Sequence, residues 1–358
     1  MNQKEKELFL DLCAFRNPNA KKLERLLNRG AATPQVLGML FSNRMAGVAY
    51  YVLKETKLLD QTDREFRTSL RNASRLNRKM NEEFLGCLKF LSAELEACRV
   101  PYALLKGALL CHTYPRGCRT SNDIDVLIAP EDVGKVSARL KLAGFKQGYL
   151  KNGVFIPATR QQIIESKMTR GETVPFIKET KLPFVKHLEV DLNFSLDYKN
   201  GEEETLKSML ARTHLVSVES AQIRTLDSTD FFLHLCAHLY KEATTVPWIR
   251  MKRDMTFYKY ADLYLLLSEM DEAEEIRLLS EAKAMNLEKE LAYCLASVKA
   301  FFGWKSRNME AYLAKRDARE LDEVIAPSEK KMYRYTESDP QKRFFVKDRM
   351  ALLEVVDT

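Results

Sequence analysis

The spacing of apolar residues changes twice along the chain, from helical to strand-like and back to helical. Through residues 1–100, apolar side chains recur every three or four positions, most regularly between Asp63 and Cys98. This period predicts amphipathic helices, because residues three and four apart share one face of a helix. Val100-Pro101 closes the region, since the residue before a proline is pushed out of the helical conformation. The predicted helices are Lys4–Phe15, Lys21–Leu27, Pro34–Leu53 and Asp63–Cys98.

Strand signals occupy the middle of the chain. The first predicted strand breaks at Gly107 and leads into one or two turns of helix through His112. A helix opened by Pro130 and closed by Gly144 follows the second strand. The third strand shows the clearest alternation of apolar and polar residues in the chain, which is typical of a half-buried strand. The predicted strands are Tyr102–Gly107, Asp123–Ile128 and His187–Phe194, with weaker candidates at Val154–Ile156 and Ile163–Ile164.

Helical spacing returns from about Thr229 onward. After Ser306 the sequence is charged and poorly periodic, and we predict a helical tail there. The C-terminal helices are predicted at Asp230–Ala243, Tyr258–Met270, Glu272–Met285 and Leu287–Phe302. The predicted class is α+β: a small mixed sheet in residues 101–225, flanked by a helical N-terminal region, 1–100, and a helical C-terminal region, 226–358.

Composition indicates the number of domains and the cellular environment, and says less about the chemistry. With 358 residues, 30% of them charged and 46% apolar, the chain is predicted to fold into two or three domains. The net charge of +7 permits an anionic partner without requiring one. Seven cysteines stand singly, with no C-x-x-C pair, which favours reduced thiols in a cytoplasmic protein. We find no apolar run of about 18 residues and no apolar signal core, so no membrane association is expected.

The most informative residues are two carboxylates in the second strand. Strand side chains alternate, so Asp123 and Asp125 project from one face while Ile124, Val126 and Ile128 face the core. Like charges about 6.5–7 Å apart on a strand suited to burial are unfavourable unless a cation neutralises them. The pair therefore predicts a divalent-metal site and points to phosphate chemistry.

A third carboxylate on a neighbouring strand would complete such a site. Transfer of a nucleoside monophosphate uses two Mg²⁺ ions roughly 3.5–4 Å apart, held by hard oxygen ligands. Asp191 lies on the polar face of the third strand and is our candidate, with Glu189 as the alternative. Gly107 would let the backbone approach a triphosphate, and the helix start behind it would donate N–H groups.

Two cations lie close to these residues in the sequence. Lys106 and Arg119 are candidates for binding the phosphates and the charge on a pyrophosphate leaving group. Each has a simpler interpretation: Lys106 as a surface lysine, and Arg119 as an ion-pair partner that fixes the loop before Asp123.

Three motifs of this region resemble the polymerase-β-type nucleotidyltransferase superfamily. They are Leu104-Leu105-Lys106-Gly107-Ala108, then Arg119 four residues before Asp123-Ile124-Asp125-Val126-Leu127-Ile128, and then Pro130-Glu131-Asp132-Val133 with Leu140 and Gly144-Phe145. More narrowly, the chain is similar to a bacterial family of uncharacterised nucleotidyltransferases with the pattern L-K-G, R-x-x-x-D-[IL]-D-[LV]-L and P-x-D. The motifs lie within about residues 100–195, and the helical layout extends the resemblance to about residue 300.

The resemblance implies an α/β palm that binds Mg²⁺ and a nucleoside triphosphate. The implied metal ligands are Asp123, Asp125 and Asp191, and the implied nucleotide-binding residues are Lys106, Gly107, Ala108, Arg119 and Ser121. Two positions depart from the wider superfamily. Ala108 follows the glycine where serine or glycine is usual, and Leu192-Asn193-Phe194 follows Asp191 where many relatives continue to histidine and tryptophan.

The expected activity is Mg²⁺-dependent transfer of a nucleoside monophosphate to an acceptor hydroxyl, with release of pyrophosphate. The acceptor is open among a small molecule, a saccharide, a peptide and RNA. One alternative is a toxin-type nucleotidyltransferase acting on tRNA or protein, because Arg119-Thr120-Ser121-Asn122-Asp123 resembles the R-x-S-x-D signature of that group. The other is a degenerate palm that serves as a nucleotide-binding scaffold subunit.

Several further residues have both a functional and a structural interpretation. His234 and His238 share a helix face and could bind zinc, although packing histidines are favoured. Trp248, Tyr258 and Tyr260 could be base or sugar platforms, or core residues. An arginine stripe along the long predicted helix could be a solvated face or a track for RNA, the latter possible but not favoured. Its members are Arg64, Arg67, Arg71, Arg75 and Arg78.

Overall fold

The computed structural model describes residues 1–169, 171–196, 203–327 and 329–356. Their contacts divide the chain into two compact units. Unit 1 comprises residues 1–74 and 232–358, and unit 2 comprises residues 75–231. The sequence pattern suggests divisions at 100 and 225, whereas the contacts divide the long helix itself, because its second half packs in the core of unit 2.

Sixteen helices and eleven strands occur within the described residues. The helices are α1 (Gln3–Cys13), α2 (Ala20–Asn28), α3 (Pro34–Ser42), α4 (Ala46–Glu55), α5 (Arg64–Glu96), α6 (Gly107–Thr113), α7 (Val133–Leu142), α8 (Arg160–Thr169), α9 (Glu203–Ala211), α10 (Ser228–Ala243), α11 (Val246–Arg250), α12 (Phe257–Leu267), α13 (Glu272–Ala284), α14 (Glu288–Phe302), α15 (Arg307–Leu313) and α16 (Pro340–Phe345). The strands are β1 (Tyr102–Leu104), β2 (Asp123–Ile128), β3 (Lys146–Lys151), β4 (Val154–Pro157), β5 (Phe176–Glu179), β6 (His187–Asn193), β7 (His214–Val218), β8 (Ala221–Thr225), β9 (Glu323–Ala326), β10 (Lys331–Tyr335) and β11 (Leu353–Val355).

A six-stranded mixed sheet is the centre of unit 2. Its strand order is β1-β2-β6-β5-β3-β4. The β2–β6 pair is parallel, and the other neighbours are antiparallel. The predicted strands at Asp123–Ile128 and His187–Phe194 are confirmed, the second ending one residue earlier at Asn193. β2 and β6 each have a hydrogen-bonded neighbour on both sides, which fixes the positions of the polar residues that they carry.

One face of that sheet is the apolar core of unit 2. Ile124, Val126 and Val190 are fully buried there. They join one cluster with Leu91 of α5 and Val136 of α7. The alternation in β2 and β6 therefore orients the strands: the apolar side chains enter the core, which leaves the carboxylates on the other face.

Aromatic packing explains why unit 1 contains both ends of the chain. Phe9 of α1 lies 5.0 Å from Phe257 of α12 and 5.5 Å from Phe344 of α16 between ring centroids. Phe257 also contacts Phe301 of α14, with centroids 5.1 Å apart. Such edge-to-face and stacked contacts bury large side chains in preferred geometries. The predicted helical N- and C-terminal regions and the α+β class are confirmed.

Two local predictions in the helical parts are wrong. Ile163–Ile164 was expected as a weak strand and lies in α8, because Thr159 and Gln162 form a capping box. The Pro34–Leu53 helix is two helices, α3 and α4, since Arg44 adopts a left-handed φ of 57° and the Met45 amide closes the turn onto the Leu40 carbonyl.

The charged tail is also different from its prediction. After α15 the chain forms a three-stranded antiparallel sheet with the strand order β11-β10-β9. The helix α16 lies between β10 and β11 in the sequence. Val324, Ala326 and Tyr335 are buried in a small core with Val246 and Ile249 of α11. These strands have three to five residues each, too short for their alternation to stand out among charges.

Neither cysteine pairing nor a single long apolar helix occurs in the described structure. All seven cysteines are buried free thiols. No single described helix is long and apolar enough to cross a bilayer, although α3 and α4, bent by 119°, pass as a pair on length and composition.

Candidate active site

The carboxylates of the site lie side by side on two parallel strands. The register of β2 and β6 places Asp123 beside Glu189 and Asp125 beside Asp191. Partners in a parallel pair project to the same face of the sheet, so four acidic side chains share one small surface. The structure thus brings together both candidates for the third carboxylate, and Asp191 is the one beside Asp125.

Burial makes this concentration of negative charge unfavourable. Asp125 is buried, with 8% of its surface exposed. Burial, and next the charges of Asp125 and Asp123, raise the pKa of the Asp191 carboxyl well above its usual range. The same two causes, burial first, raise the pKa of Glu189. The protein by itself therefore leaves these acids undercompensated, which is a common property of sites that bind a cation.

Lys106 is the cation that the structure places on the carboxylates. It follows β1 and the Leu105 amide, which donates to the Asp125 carbonyl at 3.0 Å. Its Nζ lies 2.7 Å from Asp125 Oδ1. Burial alone would lower the pKa of Lys106, but the charges of Asp125, Asp123 and Asp191 outweigh burial and raise it. Lys106 is therefore a charged group of the site and not a surface lysine.

Gly107 is required by packing against Ser121. A Cβ at Gly107 would lie 2.2 Å from Ser121 Oγ and 2.3 Å from its Cβ. Ser121 Oγ donates to Asp123 Oδ1 at 2.9 Å. The absence of a side chain at Gly107 therefore gives Ser121 the space from which it orients Asp123.

The start of α6 is already hydrogen-bonded within the protein. Ala108 is fully buried, and its amide donates to the Leu105 carbonyl at 3.1 Å. The Leu109 amide donates to the Lys106 carbonyl at 3.2 Å. The phosphate contact predicted for Ala108 stays a prediction, and these bonds do not favour it.

Arg119 is buried, and it helps to fix the loop that leads into β2. Its guanidinium donates to the Thr120 carbonyl, and its own carbonyl accepts a bond from Asn81 Nδ2 at 2.8 Å. Asn77 Nδ2 donates to the Gly117 carbonyl at 2.9 Å. The sequence analysis missed Asn77 and Asn81, yet two asparagines four positions apart in an otherwise regular helix are a readable signal.

Two further residues near the carboxylates were not predicted. Asn193 Nδ2 donates to Asp125 Oδ1 at 3.3 Å. Glu172 pairs with Asn193 in an isolated bridge, and its charge contributes to the raised pKa of Asp191. Asn193 could have been found from the polar face of its strand, whereas nothing in the local sequence marks Glu172.

The other candidate residues lie elsewhere. His238 Nε2 lies 3.2 Å from Glu242 Oε1, and His234 is buried. Tyr260 is fully buried among aromatic rings, which confirms core packing for that residue. In the arginine stripe, Arg67 lies 3.4 Å from Asp60 Oδ1 and is half-buried. The exposed members are Arg64, Arg71, Arg75 and Arg78.

The donor chemistry fits Mg²⁺, although the ligands are not closed around an ion. Within the described ranges, no group of three or more His, Cys, Asp or Glu side chains is arranged to hold a metal. The carboxylate oxygens of Asp123, Asp125 and Asp191 are nevertheless hard ligands in adjacent register. Lys106 Nζ occupies part of the space that a cation would share, because it contacts Asp125 directly.

Comparison with known proteins adds a family match. A model of the family described as "Uncharacterised nucleotidyltransferase" matches residues 31–303, a range that contains β2, β6 and the Lys106 turn. No curated protein matches the sequence. Among solved structures, the chain is similar to an antigenic nucleotidyltransferase-like protein from Paracoccidioides brasiliensis. That likeness has 14% sequence identity and a TM-score of 0.34, and covers 59% of this chain and 92% of that one.

Proposed function

This chain belongs to the family of uncharacterised nucleotidyltransferases, and from that premise we propose that it transfers a nucleoside monophosphate from a nucleoside triphosphate to an acceptor hydroxyl. The acceptor oxygen attacks the α-phosphorus, a new P–O bond forms, and the bond to the pyrophosphate leaving group breaks. The hydroxyl proton passes to Asp191 or to water, and the pyrophosphate keeps the electron pair of the broken P–O bond, so atoms and charge balance.

A single observation carries the proposal: the parallel register that pairs Asp125 with Asp191 and Asp123 with Glu189. Four acids on one face of a buried sheet are not a stabilising arrangement, since burial and mutual repulsion raise the pKa values of Asp191 and Glu189. Such an arrangement is retained where a reaction needs concentrated carboxylate oxygens.

Asp123, Asp125 and Asp191 would hold Mg²⁺, which when bound neutralises phosphate charge and lowers the pKa of the acceptor hydroxyl. Two ions are proposed, as expected for this type of transfer. The fit rests on the three hard-oxygen donors in adjacent register and on their uncompensated charge.

The chain's own residues position the reactants. Ser121 fixes the rotamer of Asp123 by its hydrogen bond, and Asn193 does the same for Asp125. Asp191 would orient the acceptor. Lys106 and Arg119 would bind the phosphates, with Gly107 as the turn that brings Lys106 to them. Most of the rate increase would come from positioning and charge neutralisation, as in other phosphoryl and nucleotidyl transfers.

The acceptor is proposed only as a hydroxyl compound: a small molecule, a saccharide, a peptide or RNA. A toxin-type enzyme that modifies tRNA or protein is a second proposal. It is supported by Arg119, Ser121 and Asp123, which stand in the R-x-S-x-D spacing. The third proposal is a nucleotide-binding scaffold without turnover, supported by the buried Ala108 at the phosphate turn and by the engaged Lys106.

A labelling experiment separates these proposals. The purified protein is incubated with Mg²⁺ and each α-labelled nucleoside triphosphate, together with separated small-molecule, saccharide, RNA and protein fractions of a lysate. The expected result is label in one fraction with release of pyrophosphate, and loss of at least about 10³-fold of the rate in the Asp123→Asn/Asp125→Asn double variant. Glu131→Gln is the control, because Glu131 is exposed, stands at the variable position of P-x-D, and loses one negative charge in the same unit.

The alternatives have distinct outcomes in the same experiment. Label in tRNA or in intact protein supports the toxin-type proposal, whereas label in a small molecule, a saccharide, a peptide or another RNA supports the first one. Binding of Mg²⁺ and nucleotide in a calorimeter, without label in any fraction, supports the scaffold. Absence of nucleotide binding with Mg²⁺ present contradicts all three.

A further inference from the structure

The Lys106 ammonium contacts the Asp125 carboxylate. We propose that Lys106 is a resident counter-ion of the site: its ammonium holds Asp125 in the nucleotide-free protein and moves to the triphosphate when metal and nucleotide bind. The proposal rests on the proposed function, because it assigns a second position to a residue of that site. Its consequence is that metal binding and nucleotide binding strengthen each other.

The Oδ1 atom of Asp125 already accepts two hydrogen bonds. Asp125 Oδ1 accepts from Lys106 Nζ at 2.7 Å and from Asn193 Nδ2 at 3.3 Å. A carboxylate oxygen has about two lone-pair positions, so both are used. A cation that used Asp125 Oδ1 would need one of these positions. Lys106 therefore competes with a metal ion for this oxygen, and its ammonium would have to leave when the ion binds there.

The pair formed by Lys106 and Asp125 is largely buried. The Lys106 side chain is 18% exposed and the Asp125 side chain 11%. A hydrogen-bonded charge pair with so little solvent access is stronger than a surface ion pair. Metal without nucleotide would take the ammonium's partner, Asp125, whereas a triphosphate supplies a new one.

The backbone of the turn at Lys106 has a positive φ. Lys106 has φ 48° and ψ −116°, a conformation that glycine adopts readily and a residue with a Cβ rarely adopts. The turn is held next to β2 by the Leu105 amide, which bonds to the Asp125 carbonyl, and by the pairing of Leu104 with Val126. A strained lysine where glycine would be unstrained indicates that the side chain has a role at this position.

The Lys106 side chain is long and flexible. Lysine carries a point charge on a flexible four-carbon stem, so its ammonium can change partners while the backbone turn stays fixed. Two discrete positions of one charge, on Asp125 and on a phosphate, are sufficient to couple two ligands. By thermodynamic linkage the coupling is reciprocal.

The test measures Mn²⁺ affinity, not turnover. Free Mn²⁺ is quantified by electron paramagnetic resonance in titrations of the full-length protein, with and without a non-hydrolysable nucleoside triphosphate analogue. Wild type is compared with Lys106→Met and Lys106→Gly, the second of which relieves the backbone strain and so guards against a folding defect. Lys178→Met is the matched control: its Nζ donates to the Ala143 carbonyl at 2.6 Å, and it lies in β5 of the same sheet.

We expect both Lys106 variants to bind Mn²⁺ about tenfold more tightly than wild type without nucleotide, and to lose most of the enhancement that nucleotide produces in wild type. Lys178→Met should behave as wild type in both titrations. An effect of equal size in Lys178→Met would show a general change in charge and overturn the proposal.

Two negative results are distinguishable. Mn²⁺ binding that is unchanged in both Lys106 variants, with normal binding in wild type, overturns the resident counter-ion and leaves the proposed function intact. Absence of Mn²⁺ binding in every protein, with and without nucleotide, overturns the proposed function and this inference together.

Discussion

Two buried charge clusters, one in each unit, are arranged in different ways. In unit 1, Asp254 is fully buried and accepts two bonds from Arg349, at 2.6 Å each. Arg343 and Asp322 form another buried pair at 3.0 Å. In unit 2, Lys106 lies on Asp125 while the neighbouring acids share the same face, and the pKa of Asp191 is raised well above its usual range.

The difference separates structural charges from functional ones. A guanidinium that matches one carboxylate with two parallel bonds satisfies both groups, and its role ends with the fold. Carboxylates that outnumber their cation lower the stability of the protein that carries them, so they are retained for binding or chemistry. Charge balance therefore distinguishes the carboxylates of β2 and β6, where we propose the site, from a balanced pair such as Asp254 with Arg349.

The largest expected effect is on the balanced pair. Asp254→Ala leaves Arg349 buried without its partner, and we expect a loss of about 3–5 kcal/mol in the free energy of unfolding, measured by urea denaturation. The double variant Asp254→Leu/Arg349→Met removes both charges and should recover most of that loss. A loss below about 1 kcal/mol in the single variant would remove the contrast between the two units.

A smaller effect is expected at the turn that supports the carboxylates. Gly107→Ala forces a Cβ against Ser121, and we expect a loss of about 1–3 kcal/mol in thermal or urea unfolding. Ser121→Gly in the same chain should restore part of the stability. Gly86→Ala is the control, because nothing lies within 4 Å of its added Cβ and the exposed helix position should gain slightly. Equal effects at both glycines would contradict the packing argument.

Replacing an unbalanced acid should have the opposite sign. Asp191→Asn removes a charge that burial and Asp125 disfavour, so in metal-free buffer we expect a gain of about 1 kcal/mol in the free energy of unfolding. The same variant should be inactive. Glu131→Gln, at an exposed acid of the same unit, is the control and should change neither quantity. A destabilised Asp191→Asn would mean that the carboxylate is structurally required.

The smallest expected effect is the pH dependence of the free energy of unfolding gained in Asp191→Asn. Because the pKa of Asp191 is raised on folding, the folded protein binds its proton more tightly, and stability falls as pH rises. The advantage of Asp191→Asn over wild type should be near zero below about pH 4, where the carboxyl is protonated in both states. It should grow as pH rises through the raised pKa. Paired urea titrations at several pH values measure it, and a pH-independent difference would exclude this origin.

The local sequence predicted the elements better than their arrangement. β2 was predicted at its observed bounds, because two aspartates alternate with Ile124 and Val126 and an apolar pair follows. β3 and β5 were missed: Lys146–Lys151 has one buried residue, and the four residues of β5 are too few to show a period. The sheet in the charged tail was missed for the same reason.

The sequence indicated candidate residues for the site but not their contacts. Asp123, Asp125 and Asp191 were recognised from their positions on polar strand faces, and the family match covers all of them. Their metal and nucleotide roles stay predictions. The contact of Lys106 with Asp125 could not be predicted, since it joins residues 19 positions apart through a turn of unusual backbone conformation.

By itself, the sequence determined which residues alternate, where most of the helices lie, and which acids stand on a polar face, because each of these depends on neighbours within a few positions. The tertiary structure alone decided that β6 lies parallel to β2 with Asp191 beside Asp125, and that a lysine is the cation on Asp125. Strand register and turn conformation depend on packing between distant segments, which no local pattern encodes.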